Sequence, residues 1–264
     1  MAYVNAPYAN DIIENKLEEK LNTLLSMSNY LTVDTSLEGV DGMIKYIHTY
    51  KSTGGAQDVS EGSGNTTKMS IQYESVPYTC TTSQATFEYT DEQLAKDSFM
   101  IDAGVEDLAK AIANDYNSKA VAEVEKTTNT VTTTAFSFDN FADAIALLGN
   151  GGLEDSEEAG FVALVNPATK AALRKALKDD LQYVEAFVRA GYIGSICGIP
   201  VYTCKDVSAD TIDIFSPKAV TCFMKKDVET EQDRNIETRK NTIVARNVKV
   251  IALVDERYAV KISK

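Results

Sequence analysis

The stretch KSTGGAQDVSEGSGNTTK, residues 51–68, decides how this chain should fold. It holds four glycines, and Ala56 and Val59 are its only aliphatic residues. The residues on both sides of it alternate as they do in β-strands. The alternating positions are Ile44, Tyr46, His48 and Tyr50 before the stretch and Met69, Ile71 and Tyr73 after it. The pattern predicts a long two-stranded β-ribbon with a flexible tip.

A ribbon of this length needs a partner surface. Two strands alone are at best marginally stable in water, and their open edges favour pairing with another chain. A long arm inside a compact domain also calls for an explanation. A second copy of the chain is the simplest source of the missing surface, so the sequence indicates a subunit of an assembly before it indicates an enzyme.

Composition narrows the classes of function. The chain has 264 residues, of which 44% are hydrophobic, and a formal net charge of −13. Such a chain can bury a sizeable core, but it gains nothing from the counterion release that drives nucleic-acid binding. We expect no tight grip on DNA or RNA and no binding to a membrane. No signal peptide is visible, and no apolar stretch approaches the roughly 18 residues of a membrane span.

The residues that usually hold metals or cofactors are sparse. The four cysteines are not spaced as CxxC, and His48 is the only histidine. No zinc pattern follows from this set, so we expect free thiols, no metal and no cofactor. His48 sits in a strand pattern, where a structural role is favoured over a general base. The acidic run 154–158 lacks the spacing of a calcium loop and is interpreted as a solvated loop.

Helical periodicity predicts two helices around the ribbon. The first begins at Asn10 or Asp11 and runs to about Met27, with apolar residues at 3-and-4 spacing. The second begins after Thr90 and runs without a break to about Lys126. The apolar stripes are Ile13, Leu17 and Leu21 in the first helix and Leu94, Ile101, Val105, Leu108, Ile112 and Tyr116 in the second.

The second half of the chain predicts an α/β lobe followed by strands. Asn166 and Pro167 are typical of a helix start. The predicted elements are a helix over 138–148, a strand over 161–165, a helix to about Leu177, strands over 199–202, 212–215 and 220–224, a polar segment over 225–241, a strand over 242–254 and a closing β-hairpin.

Three strings of sequence, in order, resemble those of a known family. Phe161–Leu173, FVALVNPATKAAL, is similar to a strand-to-helix segment built on Asn-Pro. Gly198–Tyr202, GIPVY, is similar to a "G-P-V" strand, and Glu231–Arg239 is similar to the segment before the last strands. With the order of predicted elements, these strings resemble the major capsid proteins of tailed bacteriophages with the HK97-type fold.

The resemblance implies an α+β fold and a division of the chain. Its parts would be an N-terminal arm (1–42), an extended β-hairpin called the E-loop (43–90), the spine helix and connector of the P domain (91–136), an α/β A domain (137–224) and C-terminal strands completing the A and P domains (225–264).

The resemblance also implies a function. The chain would self-assemble, as hexamers and pentamers, into the icosahedral head shell of a virion that encloses double-stranded DNA without gripping it. It would be made in the host bacterial cytoplasm. Scaffolding, portal and decoration proteins would be further partners. The alternatives are an encapsulin-type bacterial shell and a soluble α/β enzyme that uses a carboxylate such as Asp139 or Glu157.

Ten residues are predicted to form the contacts between subunits. The ribbon would lie over the spine helix of a neighbour, the first helix would clasp an adjacent subunit, and the loop 149–158 would meet its copies around the symmetry axes. The residues are Ile44, Tyr46, Tyr50, Ile71 and Tyr73 in the ribbon, Ile13, Leu17 and Leu21 in the helix, and Gly151 and Glu154 in the loop.

Overall fold

The computed structural model describes residues 10–24, 26–97, 99–150, 160–177 and 194–264. Within these residues the helices are α1 (Asn10–Leu24), α2 (Asp91–Lys96), α3 (Met100–Val124), α4 (Phe138–Asn150) and α5 (Pro167–Ala176). The strands are β1 (Thr32–Asp34), β2 (Ile44–Thr53), β3 (Ser70–Thr79), β4 (Thr81–Thr90), β5 (Thr130–Thr132), β6 (Val162–Val165), β7 (Ser195–Ile196), β8 (Ile199–Thr203), β9 (Thr211–Phe215), β10 (Val220–Asn235), β11 (Lys240–Leu253) and β12 (Ala259–Ser263).

One sheet has four strands in the order β1-β10-β11-β4. Its centre is a long antiparallel hairpin of β10 and β11, and β4 pairs along the other edge of β11. Helices α1 and α3 pack on this sheet through one apolar cluster. The buried members are Ile13, Leu17, Leu21, Tyr89, Ile101, Val105, Leu108, Ala109, Ile112, Ala113, Ile243 and Ala245. The apolar stripes of both helices are therefore used within the chain.

Gly104 allows α3 to lie directly against β4. A Cβ atom built at Gly104 would stand only 2.3 Å from Cε1 of Phe87. We expect Gly104→Val to lower the free energy of unfolding by roughly 1–3 kcal/mol, because the ring of Phe87 must move or α3 must lift. Urea unfolding measures the change. Ala103→Val, at an exposed position of the same helix, controls for the helix propensity of valine, and an equal loss in both variants would contradict the close-packing explanation.

The second sheet has six strands in the order β5-β12-β9-β6-β8-β7. Its central strands are buried on both faces, which explains why β6 is a continuous apolar run. On one face α4 and α5 contribute Phe141, Leu148 and Leu173 to a cluster with Ile212 and Ile262. On the other face a second cluster joins the sheet to the C-terminal half of α3; it includes Tyr116, Val121, Val124, Leu164, Phe215 and Val220.

The start of α5 confirms the predicted cap. The side chain of Asn166 accepts a hydrogen bond from the backbone nitrogen of Ala168 at 3.0 Å, and Pro167 occupies the first turn. The strand β6 therefore ends and the helix begins within two residues, as the sequence predicts.

The prediction of one continuous helix over 91–126 is wrong in one respect, because the helix is broken after Lys96. Thr90 and Gln93 form a capping box for α2, which ends at Lys96. Asp97 is extended, and its carboxylate accepts a hydrogen bond from the backbone nitrogen of Phe99 at 2.9 Å. An aspartate side chain that binds nearby backbone competes with helical hydrogen bonding. The longer piece, α3, has 25 residues and is about 37 Å long.

The predicted closing β-hairpin is also wrong. Strand β12 does not pair with β11; it lies between β9 and β5 in the other sheet. Asp255 caps a short 3-10 turn over Glu256–Tyr258, and this turn carries the chain from one sheet to the other. Alternation in Val260 and Ile262 identified a strand, but alternation carries no information about which strand is the partner.

Two further boundaries differ from the prediction. The segment 225–241, predicted as polar, continues β10 as far as Asn235, with irregular pairing between Met224 and Glu229. The predicted ribbon over 43–90 is shorter, because β4 belongs to the four-stranded sheet and only β2 and β3 form the separate pair. Buried Cys80 marks the division, and its backbone nitrogen donates to the carbonyl oxygen of Met43 at 2.7 Å.

Candidate assembly surface

The ribbon is an antiparallel pair of ten residues in each strand. It begins at Ile44 opposite Thr79 and ends at Thr53 opposite Ser70, without a register shift. Because side chains alternate between the faces of a strand, this register assigns each residue of β2 and its partner in β3 to a common face. Tyr50 lies directly opposite Tyr73, and their rings are 5.6 Å apart between centroids.

The five ribbon residues predicted to contact a neighbour all lie on one face. We call this the aromatic face; its paired positions are Ile44, Tyr46, His48, Tyr50, Ser52, Ile71, Tyr73, Ser75, Pro77 and Thr79. The large apolar side chains on it are exposed, from 43% for Ile44 to 69% for Ile71. A contiguous exposed apolar patch on a protein surface is typical of a site that another molecule covers. Its contact with a neighbour remains a prediction.

The opposite face of the ribbon is anchored to the body at its base. Ile47 and Tyr78 pack on an apolar cluster that includes Cys80 and Phe223. The rings of Tyr78 and Phe223 stack with centroids 5.7 Å apart. Lys45 on this face forms an ion pair with Asp34 at 3.3 Å. The two faces of the ribbon therefore differ: one packs on the body of its own chain at its base, and the aromatic face is exposed.

The loop that leads into the ribbon is held by a cation from the four-stranded sheet. Nζ of Lys225 donates to the carbonyl oxygens of Val40 at 2.7 Å and Gly42 at 2.6 Å. This contact fixes the point at which the ribbon leaves the body.

Hydrogen bonds to a side chain join the two halves of the ribbon's tip, residues 54–69. Oε1 of Gln57 accepts hydrogen bonds from the backbone nitrogens of Thr66 and Thr67, both at 3.1 Å. Gly54 has φ of +119°, and a Cβ there would lie 2.9 Å from the carbonyl oxygen of Lys68. The glycine is thus required where the two strands separate.

The helix residues predicted to contact an adjacent subunit do not form an exposed surface, which corrects that prediction. Ile13, Leu17 and Leu21 are at most 3% exposed, since they pack on α3 and the four-stranded sheet of their own chain. Gly151 and Glu154 lie outside the described residues, so their position at a symmetry axis stays a prediction.

Catalytic and metal-binding chemistry gains little support from the structure. Asp139 is exposed in the first turn of α4, and Glu157 lies outside the described residues. No cluster of acidic, histidine or cysteine side chains in the described part of the chain could hold a metal ion.

Among the helices that the structure describes, none combines the length and apolar character needed to cross a membrane. All four cysteines are free thiols, as predicted.

Two buried charged residues were missed by the sequence analysis. Asp213 in β9 is 0% exposed, and burial, with the negative charge of Glu125, raises its pKa to about 7. Lys249 in β11 is 2% exposed, and its ammonium lies 4.7 Å from the centroid of the Tyr116 ring. Burial lowers the pKa of Lys249 to about 8. Both are alternating polar residues in strands, which the sequence pattern assigns to solvent.

Comparison with known proteins gives one family and one fold. Residues 73–262 match the family model described as phage capsid protein. Solved structures cover nearly the whole chain. That of Mycobacterium phage Che8 is 20% identical, with 90% of each chain covered and a TM-score of 0.68. The capsid of an empty GTA particle is 16% identical, covers 91% of this chain and 90% of its own, and has a TM-score of 0.71.

A virus-like particle from Pyrococcus furiosus is also similar in structure, at 13% identity, with 96% of this chain and 98% of that chain covered and a TM-score of 0.64. No curated protein matches the chain. At identities this low, the structural likeness shows the fold, whereas the family model matches the sequence itself.

Proposed function

Because the chain belongs to the phage capsid protein family, we propose that the aromatic face of its ribbon is the surface through which copies join into a shell. The chain is a major capsid protein with the α+β HK97-like fold, and its place is the capsid of the virion. The family match favours a phage head over an encapsulin-type compartment. The proposal concerns how the subunits hold one another.

The observation that carries the proposal is the exposed apolar face on a ribbon whose other face is anchored. Tyr46, Tyr50 and Tyr73 are each more than half exposed, and burying such rings contributes roughly 25 cal/mol per Å² of apolar surface. Among the described residues, the register places these side chains on the face away from the cluster of Ile47 and Tyr78. A second copy of the chain supplies the cover.

The site on the neighbour is proposed to be the surface beside its long helix α3. The groove between α1 and α3 is lined by Phe99, whose side chain is 75% exposed, and by charged residues of both helices. A ribbon laid over this groove would cover Phe99 and its own aromatic rings together. Each contact is weak alone, but many contacts per subunit add up to a stable shell.

We further propose that these copies form the hexamers and pentamers of a closed shell around double-stranded DNA. The net charge of −13 supports a wall that encloses the genome without binding it tightly. Scaffolding, portal and decoration proteins are proposed as partners on the basis of family membership.

The test is a charge placed on one face of the ribbon and then on the other. We expect Tyr50→Lys to abolish shell formation, because docking then loses the apolar area of the tyrosine ring and must dehydrate an ammonium. Together these cost on the order of 3 kcal/mol per contact, more than a hundredfold in its equilibrium constant. Negative-stain electron microscopy and sedimentation of the purified protein measure the effect.

Gln72→Lys is the matched control. Gln72 is exposed on the same ribbon but alternates to the opposite face, so this variant is expected to assemble. Thermal unfolding of both variants should equal that of the original chain, because neither position belongs to the core. Normal shells from Tyr50→Lys, or equal loss in both variants, would contradict docking through the aromatic face.

A further inference from the structure

Helices α4 and α5 each carry charge of one sign. The sequence of α4, FDNFADAIALLGN, holds two aspartates and no basic residue, whereas that of α5, PATKAALRKA, holds three basic residues and no acidic one. Helices α1, α2 and α3 each carry both signs. Charge is thus segregated in α4 and α5, in contrast to these three helices.

The charged side chains of α4 face solvent beside an exposed ring. Asp139 and Asp143 are four residues apart, so they lie on the same side of the helix, and both are exposed. Phe138 beside them is 50% exposed. Neither aspartate forms an ion pair within the described part of the chain. We call these three residues the acidic face of α4.

The basic side chains of α5, namely Lys170, Arg174 and Lys175, form its basic face. Arg174 and Lys175 are exposed, and none of the three has an ion pair with a residue that the structure describes. Nζ of Lys170 donates to the hydroxyl oxygen of Thr203 at 2.8 Å. Burial and the positive charge of Arg174 lower the pKa of Lys170. The basic face is therefore a set of like charges without a carboxylate partner in its own described chain.

Helix dipoles explain only part of this pattern. An acidic residue in the first turn and basic residues in the last turn stabilise any helix, which accounts for Asp139, Arg174 and Lys175. The dipole's effect fades within one turn, so it does not account for Asp143 in the second turn of α4. A cation near a helix start is unfavourable, and Lys170 lies near the start of α5. These two residues call for another explanation.

The two helices lie toward opposite ends of the six-stranded sheet. Helix α4 packs on β12 and β5 at one end, and the bond from Lys170 to Thr203 places the start of α5 beside β8, near the other end. Strands β12 and β8 are three strand spacings apart in this order, or roughly 14 Å. Physiological salt screens exposed charges beyond roughly 8 Å, so the two faces neutralise each other little within one chain.

We propose that the acidic face of α4 in one copy of the chain binds the basic face of α5 in the next copy. Because the two faces are different surfaces of one subunit, the contact is head-to-tail, and repeated head-to-tail contacts can close into a ring. Opposite charges across an interface fix its orientation and exclude wrong arrangements. The inference rests on the proposed function, in which copies form hexamers and pentamers, and it adds the contact that orders the copies within each ring.

The test reverses the charge of one face at a time. The α4 variant carries Asp139→Lys and Asp143→Lys, and the α5 variant carries Arg174→Glu and Lys175→Glu. Each variant removes the attraction and places like charges across the contact, so we expect the subunit concentration needed for shells to rise by about tenfold or more. Sedimentation and negative-stain electron microscopy measure the effect.

A variant with all four substitutions is the matched control. Its changes cancel, so its net charge stays at −13, but both faces are inverted and attract each other again. We expect this variant to regain most of the assembly that either double variant loses.

An equimolar mixture of the two double variants gives a second readout. The reversed face of each variant is complementary to a reversed face of the other, and the unchanged faces also match. Copies of the two variants should therefore alternate around a ring, and the mixture should assemble at concentrations where neither variant does so alone. Because alternation closes only rings with an even number of copies, we expect sixfold rings and not fivefold rings in the mixture.

Thermal unfolding of the isolated subunits shows whether each variant is folded. All four positions are exposed, so we expect cooperative unfolding throughout. Asp143→Lys alone leaves the first turn of α4 unchanged and repeats the test with little effect on the helix dipole. It should also raise the concentration needed for shells.

The outcomes separate this inference from the proposed function. Normal shells from both double variants, or no recovery in the fourfold variant and in the mixture, would overturn the contact between α4 and α5 and leave the ribbon contact in place. Loss of assembly in the α5 variant with normal shells from the α4 variant would also overturn it, and would indicate that the basic face binds DNA instead. Failure of the original chain to form shells would overturn both proposals.

Discussion

Replacing Leu108 with aspartate is expected to unfold the subunit. Leu108 lies in the middle of α3, is 3% exposed, and belongs to the cluster that joins α1, α3 and the four-stranded sheet. Loss of a buried leucine side chain alone costs about 2–5 kcal/mol. An unpaired carboxylate in its place adds several more. The sum reaches the roughly 5–15 kcal/mol by which whole domains are stable.

The measurement is thermal or urea unfolding of the purified subunit, followed by circular dichroism. Ala111→Asp is the control, because Ala111 is exposed on the same helix and receives the same carboxylate in water. We expect the control to unfold close to the original chain and Leu108→Asp to lack a cooperative transition. If the two variants unfold alike, the stripe of α3 is not the core that the structure shows.

The helices and central strands could be predicted because their signals are local. Asn166-Pro167 fixed the start of α5, and the apolar run ending at Val165 identified a strand buried on both faces. The break after Lys96 was missed because the apolar spacing continues across it. The competition between the Asp97 side chain and the helix backbone leaves that spacing unchanged. Strand partners were missed where they depend on tertiary contacts, as with β12.

The aromatic face was predictable in its residues but not in its geometry. Alternation marked the apolar positions of β2 and β3 separately. Their placement on one face depends on the pairing of Tyr50 with Tyr73. The sequence does not determine this pairing, because the irregular tip between the two strands does not fix their register. His48 follows the same alternation, and a strand pattern alone does not say whether its face is covered by the chain itself.

The α1 stripe shows the limit of an amphipathic pattern. The spacing of Ile13, Leu17 and Leu21 correctly indicates a buried face, but burial within the chain and burial against a second copy give the same pattern. The structure places the stripe on α3. The stability of the subunit, rather than its assembly, is therefore expected to depend on these residues.

Asp213 leads to a prediction about pH. The carboxylate is fully buried in β9 opposite Lys261, and within the described residues neither of its oxygens has a hydrogen-bond partner. Lys261 instead donates to the carbonyl oxygen of Glu125 at 3.1 Å. Burial, with the charge of Glu125, raises the pKa of Asp213 to about 7 from an ordinary value of 3.8. The folded chain thus holds a proton that the unfolded chain releases.

The stability that this proton supplies is present in full below pH 3.8 and is lost as the pH rises through 7, because the unfolded chain is deprotonated over that interval and the folded chain is not. At about 1.4 kcal/mol per pH unit, the loss amounts to roughly 4 kcal/mol. Asp213→Asn keeps the size of the side chain and removes its titration. We expect this variant to be more stable than the original chain at pH 8 and nearly equal to it at pH 4.

Urea unfolding at a series of pH values measures the difference between the two curves. Asp210→Asn serves as the control, because Asp210 is an exposed aspartate at the start of the same strand region and its replacement should leave the curve of the original chain unchanged. All the other carboxylates are present in all three proteins, so the comparison uses only the difference between the curves. A constant offset between Asp213→Asn and the original chain from pH 4 to pH 8 would show that Asp213 does not carry the proton.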